Sequence, residues 1–271
     1  MIKQAIIPLA GLGTRLLPLT SVFAKELLPI NGKPGLEYIL EECIEAGIKE
    51  VVFIISKKKM MIKKYFYNDK FYKDIIKKKG DPKIIKEYKK ILKYKKMIKF
   101  VFQDKPLGTG DAVYKTKKFI TDKYFLMLLP DDLIIKKNCS KSMITVHNKF
   151  KASVMASMKV NKNDVSRWGI YNIRKKIDKN NFIINNVVEK PSIKTSPSNN
   201  AVIGRYILPK TIFSKLKSLK PGKSGEFHIT DAIQALIEDD NQFIGHNFSG
   251  KYLDCGTMKG YIKSTLEISK Q

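Results

Sequence analysis

The sequence is short of cysteine, arginine, tryptophan and acidic residues. Three cysteines, Cys43, Cys139 and Cys255, lie far apart and form no CxxC pair. That excludes a disulfide framework and a thiolate zinc ribbon, and fits reduced thiols in a cytoplasmic protein. No apolar run approaches the roughly 20 residues of a membrane-spanning helix; the longest clean stretch, residues 124–130, has the length of a buried strand. The apolar run at residues 4–9 is broken at once by Gly11, Gly13 and Arg15, and reads as neither a signal peptide nor an anchor. Acidic residues number 25 against 52 basic ones, a formal charge of +27. Such a balance invites a polyanionic partner. Yet only Arg15, Arg167, Arg174 and Arg205 are arginine, and base-reading surfaces lean on arginine forks. The charge is also uneven: residues 57–99 carry 18 lysines against Asp69, Asp74, Asp81 and Glu87, a local net of +14. Lysine in such excess, beside many isoleucines and asparagines, reads as coding bias rather than nucleic-acid recognition.

With 271 residues, 43% of them hydrophobic, the chain can bury a sizeable core. Its pattern opens as strand, loop, helix, strand. Residues 4–9 form a short buried strand, helical spacing runs over 34–46 and stops at Gly47, and the β-branched run 51–55 is a second strand. That is the beginning of a parallel α/β sheet. Residues 57–99 read as two or three amphipathic helices broken at Gly80-Asp81-Pro82, an insertion with solvated basic faces. Strands follow at 98–102, 124–129 and 152–159, with helices at 110–120 and 141–150. A part richer in strands spans 168–173, 182–188 and 201–208. Helices at 210–219 and 230–238, a strand at 242–248 and a helix from Gly256 complete the chain. There is no internal repeat and no interdomain linker, so one α/β domain with a sugar-side subregion at 160–210 is the economical organisation.

The first chemical feature is the loop Gly11-Leu12-Gly13-Thr14-Arg15. Glycines after a first strand let backbone N–H groups approach a phosphate; the same residues also serve as a plain turn. The dinucleotide fingerprint fails at Leu16, and a Walker A fails because the glycine required before Gly222-Lys223-Ser224 would fall at Lys217. Arg15 and Lys25 decorate the long loop and can neutralise a polyphosphate, or stand as solvated surface charge.

At this point the segment AGLGTRLLPLTSVFAKELLPINGKPGLEYILEECIEAGI resembles the signature loop and first helix of bacterial UTP–glucose-1-phosphate uridylyltransferases. The likeness continues in order through Gln103, Gly108-Thr109-Gly110-Asp111-Ala112-Val113 and Leu129-Pro130-Asp131-Asp132. It goes on through Trp168-Gly169-Ile170, Val188-Glu189-Lys190-Pro191, Gly204-Arg205-Tyr206, Ile229-Thr230-Asp231-Ala232-Ile233 and Asp254-Cys255-Gly256, spanning residues 3–262. The resemblance implies a Rossmann-like nucleotide-diphosphosugar transferase fold, a mixed, mostly parallel sheet flanked by helices. It implies uridylyl transfer from UTP to α-D-glucose 1-phosphate, with Mg²⁺ as cofactor.

That reaction needs no protein nucleophile, because the sugar phosphate is already an anion. The scatter of the three histidines, His147, His228 and His246, is consistent with this. By resemblance, Arg15 and Lys25 meet the triphosphate and Lys190 the phosphate of the sugar. Ala10, Gly11, Gly13, Thr14, Glu26, Gln103 and Gly108 hold the nucleotide, and Gln103 offers both a donor and an acceptor from one amide. Gly169, Glu189 and Gly204 surround the sugar. Asp131 is the primary metal ligand and Asp254 the second, since Mg²⁺ takes one or two carboxylates and keeps several waters; Asp132 should point elsewhere. Trp168 lines the sugar pocket or fills core. Ala24 stands where the family commonly has proline, and Asp111 where many members carry histidine or another polar residue. The chain stops soon after its last helix, where many members have a longer arm that helps them assemble. The implied partners are the two substrates and further copies of the chain, as a homodimer or homotetramer, with no nucleic acid and no membrane. The alternatives are another sugar-1-phosphate nucleotidyltransferase, such as a thymidylyltransferase, and a non-catalytic basic protein binding nucleic acid or membrane through residues 57–99.

Overall fold

The computed structural model describes residues 1–222 and 225–270. Lys223 and Ser224, the end of the rejected Walker A match, lie outside the described residues. The chain begins with β1 (Gln4–Pro8), a long loop holding the two-residue strands β2 (Pro29–Ile30) and β3 (Lys33–Pro34), α1 (Gly35–Glu45) and β4 (Glu50–Ile55). Helices α2 (Met60–Tyr67), α3 (Asp69–Lys79) and α4 (Pro82–Met97) come next, then β5 (Ile98–Phe102), α5 (Gly108–Tyr114), β6 (Tyr124–Leu128) and β7 (Asp132–Ile135). After α6 (Cys139–Phe150) and β8 (Ser153–Lys159) the strands β9 (Gly169–Lys176), β10 (Asn181–Glu189) and β11 (Asn200–Pro209) follow in succession. The chain closes with α7 (Ile212–Ser218), α8 (Ile229–Glu238), β12 (Phe243–Asn247), β13 (Lys251–Asp254) and α9 (Met258–Ile268).

Among the described residues nine strands form one mixed sheet in the order β5-β4-β1-β6-β11-β8-β12-β10-β9. The first four run parallel; β11 is antiparallel to both β6 and β8, and β12 returns parallel to β8. Neighbouring residues of β1 and β4 face opposite sides, and both sides are covered. Ala5, Ile7, Phe53 and Ile55 join one core cluster, while Ile6, Val52 and Ile54 join the other. Burial on two faces explains why these strands are continuous apolar runs with no polar alternation.

The lysine-rich stretch is three helices, α2 to α4, broken at Gly80-Asp81-Pro82. Gly80 takes the left-handed conformation (φ 59°), the Asp81 side chain accepts from the Lys83 N–H at 2.8 Å, and Pro82 opens α4. These helices connect β4 to β5, parallel neighbours that require a crossover. Ile62, Phe66, Ile91, Tyr94 and Met97 anchor them, whereas α3 buries none of its residues. No described helix is long and apolar enough to cross a membrane.

Two differences from the sequence reading have local causes. The helix expected over 110–120 is α5, Gly108–Tyr114, followed by turns. There the Thr116 hydroxyl donates to the Val113 carbonyl at 2.6 Å, and the Phe119 N–H donates to the Thr116 carbonyl. The antiparallel pair β7–β13, with Asp132 opposite Asp254, has four residues per strand, too few for a periodic signal.

Candidate active site

Strands β1, β4, β5 and β6 end on the same edge of the sheet. The chain leaves β1 for β4 on one side, and β6 lies on the other, so a crevice opens beyond β1 and β6. Open α/β sheets place their ligands at such a point. A cleft of about 530 Å³ occupies it. Ala10, Gly11, Gly13, Thr14, Lys25, Glu26, Gln103, Gly108 and Asp131, all named from the sequence, line it.

The long loop after β1 is held by its own bonds. Gly13 has φ 71°, and its carbonyl accepts from the Thr20 hydroxyl at 2.8 Å. Three short 3-10 turns then carry the chain to Lys25 and Glu26. Lys25 Nζ lies 2.7 Å from Asp131 Oδ2, and the exposed Arg15 approaches the same oxygen at 3.5 Å. Burial alone would lower the Lys25 pKa, but the charges of Asp131 and Glu26 outweigh it and leave it raised. Burial pushes the Asp131 carboxyl up; Lys25 overcomes that and holds it below the usual carboxylate range. Asp131 and Asp132, adjacent in sequence, therefore separate in chemistry. Asp132 points into the protein, where its carboxylate accepts from Gly204 N–H at 2.8 Å and from the Tyr252 hydroxyl at 2.7 Å. Burial, then the Asp131 charge, push its pKa up to about 6.

Asp254 reaches the same neighbourhood from β13. Its Oδ1 accepts from Gly256 N–H at 2.8 Å, and Cys255 N–H donates to the Asp131 carbonyl, also at 2.8 Å. A methyl group on Gly256 would lie 2.9 Å from Asp131 Oδ2, 3.0 Å from an Arg15 guanidinium nitrogen and 3.2 Å from Asp254 Oδ1. Glycine thus leaves open a position flanked by two carboxylate oxygens and one cation. The two carboxylates are donors that suit a hard divalent cation completing its shell with water and phosphate oxygens. Among the described residues no group of three or more metal-binding side chains exists.

Glu26 is 3% exposed and paired with Lys59, whose Nζ lies 2.7 and 2.9 Å from its two carboxylate oxygens. Burial raises the Glu26 pKa and lowers that of Lys59, with each partner's charge opposing the shift. One lysine of the basic stretch therefore braces a residue that lines the cleft. It sits among seventeen look-alikes, and nothing local in the sequence marks it out.

One part of the cleft wall was also hidden from the sequence. Glu226 and His228 line it. Their segment crosses the Gly108-Thr109-Gly110 turn, where Phe227 N–H donates to Leu107 O at 2.8 Å and Gly110 N–H to Phe227 O at 2.7 Å. The two glycines announce a close chain crossing, but not which chain. Gly108 has φ 91°, and a methyl group there would lie 2.6 Å from the Phe227 carbonyl oxygen. Gly108→Ala is therefore expected to cost about 1–3 kcal/mol from strain and clash. Gly11→Ala meets nothing within 4 Å and is expected to stay within about 0.5 kcal/mol of wild type. Urea unfolding of the two variants checks the contrast; equal stabilities would contradict it.

The remaining expected residues lie outside the cleft lining. Gly169 pairs with Glu189 across β9 and β10, and a side chain at Gly169 would press on Glu189 Oε2 at 3.0 Å. Gly204 is buried, with its missing side-chain position filled by Leu129 and Asp132, each about 2.5 Å away, so its lack of a side chain serves close strand packing. Lys190 is exposed just after β10 with φ 45°, its N–H donating to Trp168 O at 3.0 Å. Trp168 packs edge-on against Tyr252 at 5.4 Å.

Beneath the Asp131 turn lies Arg205, fully buried. Its Nε lies 3.1 Å from both oxygens of Glu42, and its Nη2 lies 2.8 Å from one of them. Its other donors bond the carbonyls of Leu129, Gly204 and Asp132. Two of those carbonyls flank Pro130-Asp131, so this buried pair fixes the turn that presents Asp131.

A protein-family model described as Nucleotidyl transferase matches residues 4–271. The chain is 37% identical over 269 residues to UTP–glucose-1-phosphate uridylyltransferase 2 of Staphylococcus saprophyticus, covering 99% of this chain and 92% of that one. It is 35% identical over 271 residues to the UTP–glucose-1-phosphate uridylyltransferase of Bacillus subtilis, covering 100% and 92%. Among solved structures, a UDP-glucose pyrophosphorylase complexed with UDP-glucose superimposes with a TM-score of 0.87 at 34% identity, covering 100% of this chain and 99% of the other. A UTP-bound UGPase from Acinetobacter baumannii gives 0.89 at 31% identity, covering 99% and 93%.

Proposed function

Because the chain belongs to the nucleotidyl transferase family, we propose that it transfers a uridylyl group from UTP to α-D-glucose 1-phosphate, releasing UDP-glucose and pyrophosphate. The observation that carries this reading is the convergence of Lys25 and Arg15 on Asp131 beyond the ends of β1 and β6, at a cleft that also holds the Gln103 amide.

The sugar phosphate oxygen attacks the α-phosphorus in line. The new oxygen–phosphorus bond forms as the bond to the β-phosphate bridging oxygen breaks, and pyrophosphate leaves with that electron pair. Two anions must be brought together, so the protein's task is positioning and charge screening. Arg15 and Lys25 supply the cations on the triphosphate side, where phosphate oxygens compete with Asp131 for them. Lys190 faces the incoming sugar phosphate. Glu189 accepts from sugar hydroxyls beside Gly169 and Gly204, within the 160–210 subregion. Ala10, Gly11, Gly13, Thr14, Glu26, Gln103 and Gly108 hold the nucleotide. Gly11 leaves open the space into which the ligand fits. A divalent cation, Mg²⁺ in this reading, would be held by Asp131 and Asp254. When bound, it supplies neutralisation of the charge building on the α-phosphate and the departing pyrophosphate. The protein acts in the cytoplasm, as the homodimer or homotetramer that sedimentation analysis would reveal.

Incubation with Mg²⁺, glucose 1-phosphate and each nucleoside triphosphate in turn tests the substrate assignment. UTP is expected to give the highest rate of pyrophosphate release. A higher rate with dTTP would move the reading to a thymidylyltransferase. Release with neither would end it.

A further inference from the structure

Gln103 follows β5 and extends the sheet, its backbone N–H donating to Ile55 O at 2.9 Å. The residue is 5% exposed and lines the cleft. Its side-chain amide has two acceptor neighbours. The Gly108 carbonyl lies 3.0 Å from Nε2, and Asp111 Oδ2 lies 2.8 Å from it. A carbonyl and a carboxylate can only accept, so the group turned toward both must be the NH₂. Both of its N–H bonds are thereby used inside the protein. The other Asp111 oxygen faces Lys115 Nζ at 3.6 Å, which leaves Oδ2 to Gln103. Gln103 Oε1 receives no hydrogen bond from any described residue and is left as a fixed acceptor.

From this geometry we propose that Asp111 locks the Gln103 amide with its carbonyl toward the ligand, and that this makes Asp111 a specificity-determining residue for the base. The proposal rests on the reading that the cleft binds a pyrimidine nucleotide with its base at Gln103. Uracil and thymine present N3–H, a donor that Oε1 can accept. Cytosine presents N3 as a lone pair, which meets Oε1 acceptor to acceptor. To accommodate cytosine the amide must rotate by half a turn. That sacrifices two hydrogen bonds, one of them to a carboxylate. Asp111 therefore acts through Gln103 as a positioning residue.

The test compares kcat/KM for UTP and for CTP, with glucose 1-phosphate, in wild type, Asp111→Ala and Asp111→Asn, alongside the dissociation constants of the two nucleotides by calorimetry. Removing the carboxylate takes away the larger share of the cost of turning the amide. The preference for UTP over CTP is expected to narrow by about ten- to hundredfold in the alanine variant, the worth of one hydrogen bond to a charged group. The asparagine variant keeps the shape but can offer Gln103 either its carbonyl or its NH₂, so it should narrow the preference too, and it carries the test if the alanine variant does not fold. A purely structural role would lower both nucleotides together, and an unchanged UTP-to-CTP ratio in folded variants overturns the proposal. Wild type that neither binds nor turns over UTP would instead overturn the functional reading, so the two failures are distinguishable.

Discussion

Lys25→Ala is expected to lower kcat with UTP and glucose 1-phosphate by on the order of 10²–10³, the loss typical when one electrostatic stabiliser is taken from a preorganised site. Lys25 is the nearest cation to Asp131, at 2.7 Å, and its side chain is largely buried. In that setting its charge is poorly screened by water and acts strongly on the phosphates beside it. The exposed Arg15 is better screened, so Arg15→Ala should cost less than Lys25→Ala. Steady-state kinetics over a range of Mg²⁺ concentrations, with circular dichroism to confirm the fold, makes the comparison. An alanine variant of Lys25 with kcat within threefold of wild type would remove that residue from the chemistry.

Arg205→Met is expected to destabilise the fold by about 3–5 kcal/mol, because it leaves the Glu42 carboxylate buried without its partner. Glu42→Gln should be costly for the reciprocal reason. The double replacement Glu42→Gln with Arg205→Met should cost less than the two single changes summed, since neither charge is then left alone. The three backbone carbonyls bound by Arg205 keep the double variant from being neutral. Urea unfolding reads all three variants, and strict additivity would show that the pair is not coupled. The same variants should bind Mg²⁺–UTP more weakly, because the turn carrying Asp131 loses its clamp.

The parts of the site legible in the sequence are those where function is local in the chain. The loop from Gly11 to Lys25 shows its glycines and cations within one stretch, and Asp131 follows directly from the strand that ends before it. Residues 57–99 show the limit of that reading. Their periodicity revealed the helices and their break at Gly80-Asp81-Pro82, because capping and helical spacing are local properties. The same periodicity could not separate Lys59, which reaches Glu26 across the fold, from its solvated neighbours. Arg205 and Glu42 are 163 residues apart, and their pairing is set by sheet order rather than by any motif. Glu226 and His228 enter the cleft because their segment crosses a glycine turn more than a hundred residues upstream. The +27 net charge changes meaning in this light. About half of it, a net of +14, belongs to the helices of residues 57–99, and only a few cations converge near Asp131 and Glu26.

The central claim is tested most directly by ³¹P nuclear magnetic resonance on wild-type protein mixed with UTP, α-D-glucose 1-phosphate and Mg²⁺. The account predicts that the two-phosphorus signals of UDP-glucose and the single line of pyrophosphate grow together in equal molar amounts, with no inorganic phosphate formed. Unchanged substrates, or growth of inorganic phosphate in place of pyrophosphate, would contradict it.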